Sequence, residues 1–173
     1  MLLMSLAARP LTQSPIPLEF ENRARDSGSM RRCEYHWGAE AEQVSDRSAD
    51  WFRQSEHDLD MANAALAEGR HDWACFAAHQ AAEMAVKALH LSYGQEVWGH
   101  GVERMLRELP TAAPPLLAEG AKVLDTFYVP TRYPDSHPEG APFEHYGSLQ
   151  SIEAVKHARA IVAFVRDALA RTS

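Results

Sequence analysis

Between Asp72 and Gly94 the chain places seven alanines, at positions 74, 77, 78, 81, 82, 85 and 88, among apolar residues at helical spacing, with no glycine or proline between them. Alanine is the strongest helix former, and its small side chain lets a neighbouring helix approach closely. Such a segment is a long helix built to sit among others. Trp73, Phe76, Ala77, Ala81, Met84, Ala88 and Leu89 share one apolar face, which the spacing assigns to the core. Asp72 stands where a capping residue belongs, and Gly94 marks the end.

The same reasoning divides the rest of the chain. Trp51, Phe52, Leu59, Ala62 and Leu66 define a first helix between a cap at Asp46 or Ser48 and a stop at Gly69. A short helix over Val102 to Leu109 ends at Pro110. Pro114 and Pro115 suit the first turn of another, which carries Leu116, Leu117, Val123, Leu124, Phe127 and Tyr128 and is weakened in its middle by Gly120. Four prolines and two glycines make Pro130 to Gly147 a loop. Ser148 then caps a last helix carrying Ile152, Val155, Ile161, Val162, Val165 and Leu169. No strand pattern and no internal repeat occurs. The expected fold is all-α, an up-and-down antiparallel helical bundle over residues 46–173 with a long Pro-rich loop before the last helix. Trp51, Phe52, Leu59, Phe76, Met84, Leu89, Leu106, Leu124, Phe127, Ile152, Ile161 and Val165 are expected to share one core. Residues 1–45, with Pro10, Pro15 and Pro17 and no sustained period, read as a disordered or loosely attached N-terminal arm.

Composition narrows the function classes. At 173 residues and 46% apolar content the chain carries one core. The formal net charge of −7 opposes general attraction to a nucleic-acid backbone, so any RNA or nucleotide site is a local basic pocket. Cys33 and Cys75 do not form a disulfide framework, which points to a reducing cytoplasm. The apolar Met1–Ala8 start lacks the basic residues of a signal peptide, and no run approaches the length needed to span a bilayer. His71, His79, His90 and His100 do not share a helical face, and Cys33 and His36 lack a second pair of ligands. No metal and no cofactor is expected.

Several short patterns now acquire a common meaning. The run Phe76-Ala77-Ala78-His79-Gln80-Ala81-Ala82-Glu83-Met84-Ala85-Val86-Lys87-Ala88-Leu89 resembles the second-helix signature of prokaryotic HEPN domains, the nucleotide-binding domain of higher eukaryotes and prokaryotes. Ala65-Leu66-Ala67-Glu68-Gly69, Gly99-His100-Gly101-Val102 and the stretch Leu124 to Asp135 follow the same family in the same order. The resemblance spans about Trp51 to Leu169. It implies a helical bundle, commonly a homodimer, associated with nucleotides or RNA. It further implies pairing with a minimal nucleotidyltransferase in a toxin–antitoxin-like system, or metal-independent ribonuclease activity.

Ribonuclease branches of that family carry an Arg followed, after four to six residues, by a His. Arg132 and His137 have that spacing, although Tyr133-Pro134 follows the Arg where active branches usually carry a polar residue. Arg31 and His36 repeat the spacing in the arm, and a chain of this composition holds about two such pairs by chance. As a catalytic pair, Arg132 holds a phosphate bidentately and His137 transfers a proton. The plainer reading pairs Arg132 with Asp135 or with a helix C-terminus and leaves His137 as a solvated loop residue. Lys87, Arg104 and Tyr133 are the candidate nucleotide- or RNA-binding residues, Lys87 also lying four residues after Glu83 in the favourable order for an ion pair. Tyr128 and Tyr133 are placed either to stack on a base or to seal the loop. The acidic balance and the Tyr-Pro step favour a binding or adaptor module over the ribonuclease.

Overall fold

The computed structural model describes residues 47–172, so the expected arm over residues 1–45 lies outside the described residues, as do Cys33 and Asp46. Five α-helices follow in order: α1 (Ser48–Ala67), α2 (His71–Ser92), α3 (Val102–Arg107), α4 (Pro115–Asp125) and α5 (Ser148–Thr172). Short 3-10 turns at Pro134–Ser136 and Pro142–Glu144 punctuate the loop before α5. The described residues form no strand, and the all-α expectation holds.

Proline punctuation falls as local sterics require. Pro115 opens α4, where a missing N–H costs nothing, and Pro110 follows the end of α3. Two helices are shorter than their apolar pattern. α3 stops at Arg107 rather than Leu109, and α4 stops at Asp125. Beyond α4 the Thr126 and Phe127 amides bond three residues back, to Val123 and Leu124, which tightens the chain into turns. Asp72 is not a cap: α2 begins at His71, and Asp72 lies buried in the first turn, where its charge suits the helix dipole. Ser48 and Ser148 are the first residues of their helices, not the residues before them.

α2 is the axis of the bundle, packed by α1 on one side and α5 on the other. Glu56 of α1 pairs with Arg166 of α5, and Asn63 with Arg159, so α5 runs opposite to α1. His71 at the start of α2 bonds Ser151 near the start of α5, so those two run in the same direction. With neighbours on two sides, α2 buries most of its circumference. Ala74, Ala78, Ala81, Ala82, Ala85 and Ala88 are inaccessible, and the larger Trp73, Phe76 and Met84 ride the remaining stripe. The expected core face of α2 is therefore corrected, with Trp73 56% exposed.

Of the expected core, Leu89, Leu106, Leu124, Phe127, Ile161 and Val165 are buried in one cluster, with Phe52 and Leu59 packed on its margin. Trp51, Phe76 and Met84 are only half-buried, and Ile152 is 48% exposed. The buried stripe of α5 runs through Ser151, Ala154, Val155, Ala158, Ile161 and Val162, which turns Ile152 outward. Truncating Leu106 or Ile161 to alanine removes contacts from a closed cluster, at a cost of about 2–5 kcal/mol.

Candidate functional site

α2 carries one buried polar stripe through its alanines, and the site grows from it. Glu83 is 1% exposed, a costly position for a carboxylate unless it is fully satisfied. Lys87, one turn on, donates from Nζ to Oε1 of Glu83 at 2.7 Å. The imidazole of His100 reaches the same carboxylate, its Nδ1 lying 3.1 and 3.2 Å from the two oxygens. His79, wholly buried one turn before Glu83, places Nε2 at 2.9 Å from the backbone oxygen of His100. A carbonyl only accepts, so the proton of His79 sits on Nε2. Its Nδ1 is a buried atom without a hydrogen-bond partner, 3.8 Å from Glu83.

The segment carrying His100 turns through Gly99, whose φ of +91° is open to glycine and strained for other residues. The chain after α4 closes over it. Tyr128 stacks on His100 with ring centroids 4.2 Å apart and planes 18° off parallel, and its ring also meets that of His79 at 5.2 Å. Arg132 lies next along the chain. Its Nε donates to the Tyr128 carbonyl at 3.0 Å, and its guanidinium carbon sits 4.3 Å from the ring centre of Phe76, 4.7 Å from Tyr128 and 5.2 Å from Tyr133. Three aromatic rings thus make a shelf for the guanidinium. Among the described residues no carboxylate pairs with Arg132, Asp135 included.

The remaining sequence candidates are placed differently. His137 turns away from Arg132: its Nε2 donates to the Pro130 carbonyl at 2.7 Å, and its ring stacks on His145 at 4.0 Å with planes parallel to within 1°. No hydrogen bond, ion pair or ring contact joins Arg132 to His137 among the described residues. Arg104 is engaged at both ends, by the Glu108 carboxylate at 2.9 Å and by the Trp98 carbonyl. Tyr133 stays exposed beside Arg132, and Lys87 remains on the site through Glu83. Lys87 also lies over the Trp51 ring at 5.7 Å and lines a cavity of about 320 Å³ with Trp51, Leu91, Val97 and Trp98.

Sequence reasoning missed the Glu83–His100 pair and the neighbouring Asp125. The signal was a carboxylate and a histidine inside an alanine-rich helix, together with a histidine flanked by two glycines. No metal-binding cluster of His, Cys, Asp and Glu occurs among the described residues, and no helix there is long and apolar enough to cross a membrane.

A helical domain with a polar stripe on its second helix, closed by an aromatic and cationic turn after the fourth, is the class that fold and site define. The HEPN domain family matches residues 48–168, and the chain belongs to that family. Three solved structures are similar to it. TT1696 from Thermus thermophilus is 48% identical with a TM-score of 0.70, over 71% of this chain and 98% of that one. The archaeal HEPN homologue ST0689 is 38% identical with a TM-score of 0.62, over 70% and 96%. An HEPN domain protein from Thermotoga maritima is 33% identical with a TM-score of 0.58, over 70% and 98%. No curated protein matches the chain.

Proposed function

We propose that this chain is a nucleotide- or RNA-associated binding module that takes a phosphate on Arg132. The observation that carries the reading is a guanidinium held on a shelf of Phe76, Tyr128 and Tyr133 with no carboxylate partner among the described residues, in a protein of net charge −7. Stacked, weakly hydrated and presenting a planar fork, it suits bidentate phosphate recognition. The engagement of His137 with Pro130 and His145 favours binding over cleavage by an Arg132–His137 pair.

Family membership supports a partner as well: a minimal nucleotidyltransferase, in a toxin–antitoxin-like arrangement within the cytoplasm. Co-expression and co-purification of such an enzyme with the chain tests that pairing. A homodimer is the accompanying proposal, with dimer mass in light scattering as its test. Its contact is not the alanine face of α2, which is buried inside the chain; the exposed Trp73 and Met61, with Ala64, Ala65 and Ala77 between them, offer an apolar alternative.

The binding reading is tested by calorimetry with AMP and with a short oligoribonucleotide. Arg132→Ala abolishes binding, whereas Lys122→Ala, at an exposed ion pair with Glu119, leaves it unchanged. Equal affinity in wild type and Arg132→Ala would reject Arg132 as the phosphate ligand.

A further inference from the structure

Tyr128 carries two groups on its ring: the guanidinium carbon of Arg132 lies 4.7 Å from the ring centre and the imidazole of His100 4.2 Å from it. His100 is fixed more firmly than a surface histidine requires. Glu83 holds its Nδ1, His79 holds its backbone carbonyl and Tyr128 covers its face. The side chain is nevertheless 51% exposed, and with Nδ1 taken by Glu83 the other ring nitrogen is Nε2. A carboxylate only accepts, so in this contact Nδ1 of His100 is the donor and Nε2 is the ring nitrogen left for a further partner.

We propose that His100, oriented by Glu83, is the second ligand of the phosphate bound by Arg132, and that it donates from Nε2 as the imidazolium. The proposal rests on the reading of Arg132 as the phosphate site and deepens it. The ligand class is a phosphate ester, from either a free nucleotide or an RNA backbone. Arg132 supplies the planar fork, and His100 adds one charge-assisted donor.

The charges around His100 set the sign of its pH dependence. From α2 it meets Glu83, whose charge Lys87 offsets at 2.7 Å, and the buried His79. At the end of α4 stands Asp125, 3.6 Å from His79, and past that helix come Tyr128 and then Arg132. From α3, Arg104 is held by Glu108 and the Trp98 carbonyl. A ligand that must be protonated in order to donate makes affinity rise as pH falls, by at most about tenfold per pH unit for one coupled proton.

The test is calorimetry of the full chain with AMP and with the dinucleotide ApA at pH 5.5 and pH 8.0, with helical content checked by circular dichroism. ApA carries a single diester phosphate that does not titrate there, so its pH dependence belongs to the protein. Wild type is expected to bind ApA several-fold more tightly at the lower pH, and His100→Gln to lose that dependence. Glu83→Gln weakens it, because the imidazole edge is no longer held. AMP and ApA compared in wild type separate a free-nucleotide source from an RNA backbone, and either supports the proposal when its low-pH gain depends on His100. A low-pH gain that survives in His100→Gln, or wild-type binding with no such gain, overturns the proposal while leaving the Arg132 reading intact. Wild type that binds neither probe at either pH overturns both.

Discussion

The carboxylate of Asp125, the last residue of α4, caps α3 from 23 residues away: Oδ1 accepts the Val102 amide at 2.7 Å, and Oδ2 accepts the Glu103 amide at 3.1 Å. A six-residue helix has no stability of its own, so this cap adds to the burial of Val102, Met105 and Leu106 in holding the helix that follows His100. Asp125→Ala is expected to cost about 1–2 kcal/mol, read as a lower urea midpoint at unchanged m-value. Amide exchange should accelerate first at Val102 and Glu103.

Gly120 belongs to a different kind of contact. A Cβ built there comes within 2.6 Å of Nδ1 and 3.3 Å of Cβ of His157, so α4 and α5 meet where only glycine fits. Helix propensity alone favours Gly120→Ala by about 1 kcal/mol. Overpacking works against it by about 1–3 kcal/mol, and the contact with the His157 Cβ leaves little room for the ring to swing clear. Gly120→Ala should therefore lower the melting temperature. The double variant Gly120→Ala with His157→Ala should recover most of the loss, and a stabilised single variant would show that the two helices separate freely.

The aromatic shelf distinguishes the two cations. Arg132→Lys keeps the charge but loses the planar stacking on Phe76, Tyr128 and Tyr133. Phosphate affinity is expected to fall about tenfold, or about 1.4 kcal/mol, with little change in unfolding midpoint because the group is partly exposed. Calorimetry of Arg132→Lys beside Arg132→Ala separates the contribution of geometry from that of charge.

These residues also show what the sequence makes legible. Apolar spacing, prolines and glycines are local signals, and they located all five helices to within a few residues. The faces were harder. A helix with neighbours on two sides has no single apolar stripe, so the large Trp73, Phe76 and Met84 pointed to the wrong side of α2. Gly120 read as a weak spot because its reason, His157, lies in another helix. Arg132 was visible in a linear motif. His100 stood in the Gly99-His100-Gly101-Val102 pattern without a role, since Glu83, which gives it one, is 17 residues away and the tyrosine that covers it belongs to a third segment.

Cys75 supplies a last prediction, on stability at high pH. Its thiol is inaccessible, and burial, helped by the nearby Asp72 charge, pushes its pKa up to about 12 from an ordinary 9.0. Burial likewise raises the Tyr146 phenol, with smaller contributions from Cys75 and Asp72. Between pH 9.0 and about 12 the unfolded thiol is ionised while the folded one keeps its proton. The unfolded state then binds fewer protons, so stability falls as pH rises through that window, and the effect is absent below it. The slope from this one group approaches about 1.4 kcal/mol per pH unit. Urea midpoints measured from pH 8 to 11 should fall more steeply for the wild type than for Cys75→Ala. In a Cys33→Ser background, Cys75 should react with a thiol reagent at pH 8 only after denaturant is added. Rapid labelling of the folded chain would show that the α2 core opens far more often than its packing implies.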